Sequence, residues 1–439
     1  SLLASKSIVY ANTYNILTVS STERRPTLRP PTMSNTTDFQ RPPPHIALFP
    51  GAGMGHLTPS LRLAAMLASR NCLITLITAK PTVSAAESTH TSAFFSTHPH
   101  INRLELQILP FTPSNPTTVD DPFFVQFEAI SRSVHLLRPL LLASSPPLSA
   151  IFSDFTVATS VSSIADELCI PNYIVFTTSA RFFSMMAYLL ISENSAKFSG
   201  SVDIDSEFEI PGLAPLPISS IPPPLFNPNH LFAAVGASNF PSVLKSKGVF
   251  LNTFDSFELE TITAINGGRV ISNLPPVLPI GPLEPYELES SCYYHVPWLD
   301  DQAAESVVYV SFGSRTTMSR DQIRELGNGL EKSGCAFLWV LKGSKVDKDD
   351  SEELQDLLGS SFLGRTKNKG IVVKGWVNQE EILAHPAIGG FVSHCGWNSV
   401  MEAAQQGVPM LAWPQHGDQK INAEVVVKVG LGLWIRHWG

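Results

Sequence analysis

The sequence predicts an α/β protein built from two facing, doubly wound halves, each a parallel sheet wrapped by helices. Three observations point there. Short apolar runs of strand length alternate with helical stretches, the pattern of strands joined by crossover helices. The alternation occurs twice, with a Pro-rich interruption between the two series. In each series the first strand feeds directly into a turn of small residues, Pro50–His56 in one and Ser311–Arg315 in the other.

Residues 1–44 stand apart. They are rich in Ser, Thr and Pro and carry Arg24, Arg25, Arg29 and Arg41 with few acids. A transit peptide fits that composition, and so does a disordered leader ahead of a natural start at Met33. The second reading is preferred, because a short polar segment after Met33 leads straight into the first strand.

From His45 on, apolar runs at 45–50, 72–78, 101–109, 148–153 and 172–177 read as buried parallel strands. Helical stretches such as Leu57–Ser69 and Phe123–Ala143 lie between them. Pro-rich segments at 211–228 and 275–282 mark loops, and the first domain is expected to span 45–285. A linker covers 286–296. The second domain, 297–439, opens with a strand at Val307–Phe312. A helix at 319–333 and strands at Ala336–Leu341, Gly370–Lys374 and Gly389–Ser393 follow. The acidic stretch 347–356 reads as a solvated loop and helix start. A helix from about Asn398 to Gln406 ends at Gly407.

Composition narrows the function. The 439 residues, 44% of them hydrophobic, suffice for two or three domains with large cores. A formal charge of −8 argues against nucleic acid or an anionic membrane as the main partner. Five scattered cysteines (72, 169, 292, 335 and 395), without a C-x-x-C pair, suit reduced thiols in a cytoplasmic protein. No uncharged apolar run reaches the ~18–20 residues of a membrane span.

The chemistry concentrates between Trp376 and Gln419. A strand, a polar turn (His394-Cys395-Gly396-Trp397) and a helix aim free backbone N–H groups and a positive helix end at one point, a seat for phosphate. His394, Asn398 and Ser399 can donate hydrogen bonds to an anion, and Gly396 admits close approach. Ser399 and Glu402 have capping-box spacing; alternatively, Glu402 points at a ribose diol.

In the first half, Gly51-Ala52-Gly53-Met54-Gly55-His56 is not a dinucleotide fingerprint. The motif needs Gly where His56 stands, and Thr78-Ala79-Lys80 supplies no acid at the second strand's end. His56 at a helix start is either a structural histidine or a base kept neutral by the positive helix end. Asp154, at the end of the fourth strand, either caps the next helix or holds His56 Nδ1–H so that Nε2 accepts a proton. Gly313 and Ser314 can meet a diphosphate from the opposite side. Arg315 faces a second ligand, the phosphates or solvent.

The segment Trp376–Gln419 resembles the signature box of plant UDP-sugar-dependent glycosyltransferases of secondary metabolism. The likeness includes the opening Trp, the Gln three residues on, His394-x-Gly396-Trp397-Asn398-Ser399, Glu402 and the closing Asp418-Gln419. It implies the glycosyltransferase B-type fold, two Rossmann-like domains with the acceptor in the first and the UDP-sugar in the second. It further implies that Trp376 stacks on uracil with Val377 beside it, and that Gln379 contacts the nucleoside. By the same likeness His394, Asn398 and Ser399 hold the diphosphate, Glu402 the ribose, and Asp418 and Gln419 the sugar; Gly313, Ser314, Gly396 and Trp397 are also expected at the UDP-sugar. His56, in a Gly-His-x-x-Pro turn completed by Thr58-Pro59, is the implied catalytic base and Asp154 its orienter. Gly53, Phe124, Phe155 and Arg315 are expected at the acceptor. No metal is expected, because backbone N–H groups and the helix end can absorb the leaving charge, and in-line attack predicts inversion.

Several further stretches resemble the flavonoid C-glucosyltransferase branch: GAGMGHLTP (51–59), DPFF (121–124), TTSARFF (177–183), NTFDSFE (252–258) and SFGSRT (311–316). They imply a phloroglucinol-type acceptor, a dihydrochalcone or 2-hydroxyflavanone, while Gln419 resembles glucose-using members. Three functions follow: transfer to carbon, transfer to oxygen, or UDP-sugar binding without turnover, the protein being a monomer in each case. Family members usually continue past the box through further helices, whereas this sequence stops at Gly439.

Overall fold

The computed structural model describes residues 42–111, 122–191, 206–286, 296–316, 318–342, 352–375 and 377–436. Trp376, Asp121, Cys292, the leader up to Arg41, most of the expected linker and the acidic run up to Ser351 lie outside them.

The first half is a seven-stranded sheet of β1 (His45–Phe49), β2 (Leu73–Lys80), β3 (Asn102–Gln107), β4 (Ala150–Asp154), β5 (Asn172–Phe176), β6 (Val249–Leu251) and β7 (Val277–Pro279). Its spatial order is β3-β2-β1-β4-β5-β6-β7, and every neighbouring pair is parallel. The second half is a six-stranded sheet of β8 (Val307–Ser311), β9 (Ala336–Leu341), β10 (Gly370–Lys374), β11 (Ile388–Ser393), β12 (Met410–Ala412) and β13 (Gly432–Trp434). Its order is β10-β9-β8-β11-β12-β13, again all parallel. Both sheets reverse direction of growth beside their first strand, between β1 and β4 in one and between β8 and β11 in the other. Such switch points open a crevice at the strands' carboxyl ends, where ligands bind.

The helices that matter to the site are α1 (Met54–Ser69), α2 (Ala85–Thr97), α3 (Pro122–Ser133), α4 (Ala158–Glu167), α5 (Ala180–Ile191), α6 (Leu231–Val243), α7 (Leu259–Asn266), α8 (Arg320–Ser333), α9 (Gln379–Ala384), α10 (Trp397–Gln406) and α11 (Gln419–Lys428). Central strands β1 and β4 are buried along their whole length, as a sheet covered on both faces requires.

Three expectations need correction. The single helix expected over Phe123–Ala143 breaks: α3 ends at Ser133, a 3-10 turn covers Val134–Leu137, and a short helix restarts at Arg138–Leu142. Pro139 has no N–H to continue the ladder, and its ring opposes the carbonyl four residues back. The Pro-rich segment 275–282 is not all loop, because Val277–Pro279 is an edge strand, where a proline's missing donor is tolerated. The run at 101–109 is a half-exposed edge strand rather than a buried one, with Asn102, Arg103 and Glu105 exposed.

The halves touch directly. Trp397 Nε1 donates to the Asn252 carbonyl at 2.8 Å, Ser179 Oγ to Asn422 Oδ1 at 2.8 Å, and Ser220 Oγ to Glu424 Oε1 at 2.8 Å. Ile421 of α11 packs into the first half's core and Phe257 into the second's. Cys72, Cys169, Cys335 and Cys395 are free thiols. No helix among the described residues is long and apolar enough to cross a membrane.

Candidate active site

At the β1/β4 switch point the chain brings His56 and Asp154 together. His56 Nδ1 lies 2.8 Å from Asp154 Oδ2. A carboxylate only accepts, so Nδ1 carries the proton and Nε2 keeps a lone pair. Asp154 also caps the turn before α4, because its Oδ1 accepts from Thr156 N at 2.8 Å and Thr156 Oγ1 at 2.6 Å. The approach depends on Gly51. A Cβ there would fall 2.7 Å from Asp154 Oδ1 and 2.5 Å from Thr156 Oγ1. Thr177 Oγ1, 3.3 Å from His56 Nδ1, and the edge of Phe127 complete the pocket.

Electrostatics correct one expectation. The helix end was expected to keep His56 readily neutral. Burial does lower its pKa, but the charge and hydrogen bond of Asp154 outweigh burial, and the net shift is upward from 6.5. Arg315 lowers it and Asp418 raises it, which places both second-half residues within electrostatic reach of the imidazole. Asp154 itself is only 1% exposed. Burial raises its pKa, yet His56 and Thr156 pull it below the ordinary carboxylate value, so it stays ionised.

The β8/β11 switch point holds the other group. Gly313 (φ 72°) and Gly396 crowd the His394 ring, and a Cβ on Gly313 would lie 2.5 Å from His394 Nε2. Burial and the neighbouring His416 push the His394 pKa down to about 3, so this imidazole is neutral and offers a single N–H. Its buried Nδ1 and the buried Oδ1 of Asn398 have no hydrogen-bond partner among the described residues, leaving polar atoms for a ligand. Gly396 is the N-cap of α10 and supplies no side-chain cap, so the helix's first N–H groups face the crevice unsatisfied by a side chain. Gly407 ends the helix in the left-handed conformation, as expected.

The switch points face each other. Pro59 removes the intrahelical donor for the Gly55 carbonyl, and Asn398 Nδ2 of α10 approaches that carbonyl at 3.5 Å, next door to His56. The capping-box reading of Ser399 and Glu402 is overturned. Ser399 lies inside α10 and accepts from Gln379 Nε2 at 2.9 Å, while Glu402 Oε2 accepts from the same nitrogen at 2.6 Å. Asp418 accepts from Thr178 Oγ1 and, at 2.7 Å, from Asn422 Nδ2. Gln419 Oε1 is occupied by the Gln415 and His416 N–H groups.

The remaining expected residues divide between core and crevice. Trp397 and Val377 are buried in the second core, so the Trp397 side chain works as an inter-half strut and only its backbone N–H remains for a ligand. Phe155, with Phe182 and Phe183, is core, packed on Phe176 and Phe240. Gly53 (φ 94°) sits against Phe123 and donates its N–H to Glu87. Phe124 tilts against Phe127, His230 and Phe232. Arg315 is exposed yet stacks on Phe123 at 4.2 Å, on the first half's side of the crevice. Ser314 follows Gly313 in the β8 turn, its carbonyl accepting from Lys342. Among the described residues no three His, Cys, Asp or Glu side chains converge as a metal site requires.

Sequence reasoning missed Arg62, whose guanidinium crosses between the halves to Glu402 and Glu380. The signal was readable: Arg62 is the only Asp, Glu, Lys or Arg in α1. It also missed Glu87, in the first turn of α2, and Thr156, Thr177 and Thr178, whose roles polar residues just past strand ends do not announce.

Two Rossmann-like halves whose switch points face one crevice make the glycosyltransferase B-type fold. Comparison with known proteins adds the family. A model described as "UDP-glucoronosyl and UDP-glucosyl transferase" matches residues 295–437. UDP-glycosyltransferase 708G2 of Citrus unshiu is 52% identical over 402 residues, 90% of this chain and 84% of that protein. UDP-glycosyltransferase CGT of Oryza sativa subsp. japonica is 46% identical over 400 residues, 90% of this chain and 83% of that protein. The crystal structure of LpCGTa in complex with UDP is 49% identical, with a TM-score of 0.77 over 90% of this chain and 85% of that one. The chain belongs to the UDP-glycosyltransferase family, and it is an enzyme that takes its sugar from a UDP-sugar.

Proposed function

We propose that the protein transfers glucose from UDP-glucose, with inversion, to an aromatic carbon of a phloroglucinol-type acceptor such as a dihydrochalcone or 2-hydroxyflavanone. The observation that carries this reading is the 2.8 Å His56–Asp154 pair, set beside the α10 N-terminus through the Asn398–Gly55 approach. His56 Nε2 takes the phenol proton while Asp154 holds Nδ1 and stabilises the imidazolium. The phenolate's ortho carbon attacks the anomeric carbon, the bond to the UDP oxygen breaks, and the ring recovers aromaticity as the ortho proton leaves the carbon and the ring oxygen regains one through solvent. The departing diphosphate is met by α10 N–H groups, the neutral His394, Asn398, Ser399 and Ser314. Glu402 takes the ribose, Asp418 and Gln419 the sugar, and Phe124 and Arg315 border the acceptor. One base serves attack by carbon or by oxygen. The likeness to the C-glucosyltransferase branch and to proteins named CGT supports carbon. We place the reaction in the cytoplasm, catalysed by the monomer without a metal.

Incubation with UDP-glucose and phloretin tests the proposal. An acid-stable glucoside is expected. An acid-labile one would reassign the enzyme to oxygen, and UDP binding without product across a panel of phenols would remove turnover altogether.

A further inference from the structure

Arg62, one of the residues that sequence reasoning missed, carries a further inference. Arg62 sits on α1, the helix that begins with the His56 turn, yet its guanidinium leaves the first half and ends on the second. Nη2 lies 2.5 Å from Glu402 Oε1 and also meets Glu380. The side chain is only 3% exposed and Glu402 only 8%. The second oxygen of Glu402 is held by Gln379 Nε2 at 2.6 Å, and the same amide is held by Ser399 Oγ at 2.9 Å and by Tyr309 OH at 3.2 Å. Each carboxylate oxygen therefore has one fixed protein donor. A carboxylate has about four lone-pair sites, so among the described residues one acceptor site per oxygen stays open, and the donors on either side set its plane.

We infer that Arg62 is a positioning residue for ribose recognition: from the acceptor half it holds the Glu402 carboxylate of the donor half in a fixed plane, aimed at the two ribose hydroxyls. This rests on the reading that Glu402 takes the ribose. The arrangement ties donor binding to the juxtaposition of the halves. A nucleotide reaches a correctly aimed Glu402 only when α1, and with it His56, stands against α10. A buried carboxylate whose cation is removed has to rotate or take up water, and either change spoils acceptance from a diol.

Binding of UDP and of 2′-deoxy-UDP to the full chain, measured by titration calorimetry, provides the test. The wild type should prefer UDP by about tenfold or more, the worth of one hydrogen bond to a charged group. Arg62→Met should weaken UDP by about tenfold and reduce the preference to below about threefold, with the far-ultraviolet dichroism retained. Arg62→Lys keeps the charge but loses the planar fork, so it should fall between them; it carries the test if the Met variant does not fold. Glu402→Ala is measured in parallel. If Glu402→Ala removes the preference while both Arg62 variants keep it, Arg62 is only an inter-half strut and the inference is wrong. If Glu402→Ala itself keeps the preference, the ribose lies elsewhere, and the site reading fails together with the inference built on it.

Discussion

The two halves repeat one topology and load it with opposite chemistry. At the β1/β4 switch point sits an ionisable couple, His56 and Asp154, whose proton affinities are both displaced by their contact. At the β8/β11 switch point sits another histidine, His394, but burial and His416 hold it neutral, amid amide groups and a helix end. The difference matches the tasks proposed for each. A base must change protonation state near neutral pH, whereas a diphosphate brings its own charge and needs fixed donors that do not exchange protons. One fold therefore yields two kinds of site according to what stands beside the histidine, a carboxylate or a second histidine.

The largest expected effect tests the first half's role. His56→Ala should lower transfer by about 10²–10⁴-fold, the usual worth of a general base, and leave UDP affinity within about twofold. Product quantification beside calorimetry would show it; near-normal turnover would take His56 out of the mechanism.

Asp154→Asn comes next and sharpens the electrostatics. His56 must be neutral to act, so the wild-type rate should fall as pH drops through a value above 6.5. Removing the carboxylate leaves burial as the dominant influence, so the acid limb should move to lower pH while kcat drops by about 10²-fold or more. The same pair has a contrary signature in stability. A raised His56 pKa contributes stability that is complete below the unfolded value of 6.5 and is lost as pH rises through the folded value. Melting curves across pH should show that loss in the wild type and not in Asp154→Asn.

Gly313→Ala probes the second half alone. The new Cβ meets His394 Nε2 at 2.5 Å in a backbone conformation that favours glycine, so UDP affinity should fall by about tenfold with the acid limb unmoved. Arg315→Ala should do least. Losing a stack on Phe123 at an exposed site should raise the acceptor KM by roughly twofold to fivefold, and kinetics with varied acceptor would reveal it.

Much of this contrast was legible in the sequence, for identifiable reasons. Strands β1, β4 and β11 are buried apolar runs, and Gly407 ends α10 where a left-handed residue is needed. His56 and Asp154 follow adjacent strands, so topology alone brings them near. What stayed hidden depends on packing between distant segments. Local spacing made Ser399 and Glu402 look like a capping box, but Gly396 begins α10 and Glu402 is drawn off by Arg62, 340 residues away in sequence. Trp397 looks like a ligand-facing aromatic until the halves meet and bury it in core, and Phe155 is buried against Phe176 and Phe240 within the first half. The direction of the His56 shift escaped a helix-end argument because a carboxylate at 2.8 Å outweighs a partial charge.

A crystal structure of the protein with UDP bears on the central claim most directly. The account predicts the diphosphate at the α10 N-terminus, within hydrogen-bond distance of Asn398 and Ser399 and facing His56 across the crevice. A diphosphate seated on the first half, or on the side of the second half away from His56, would contradict it.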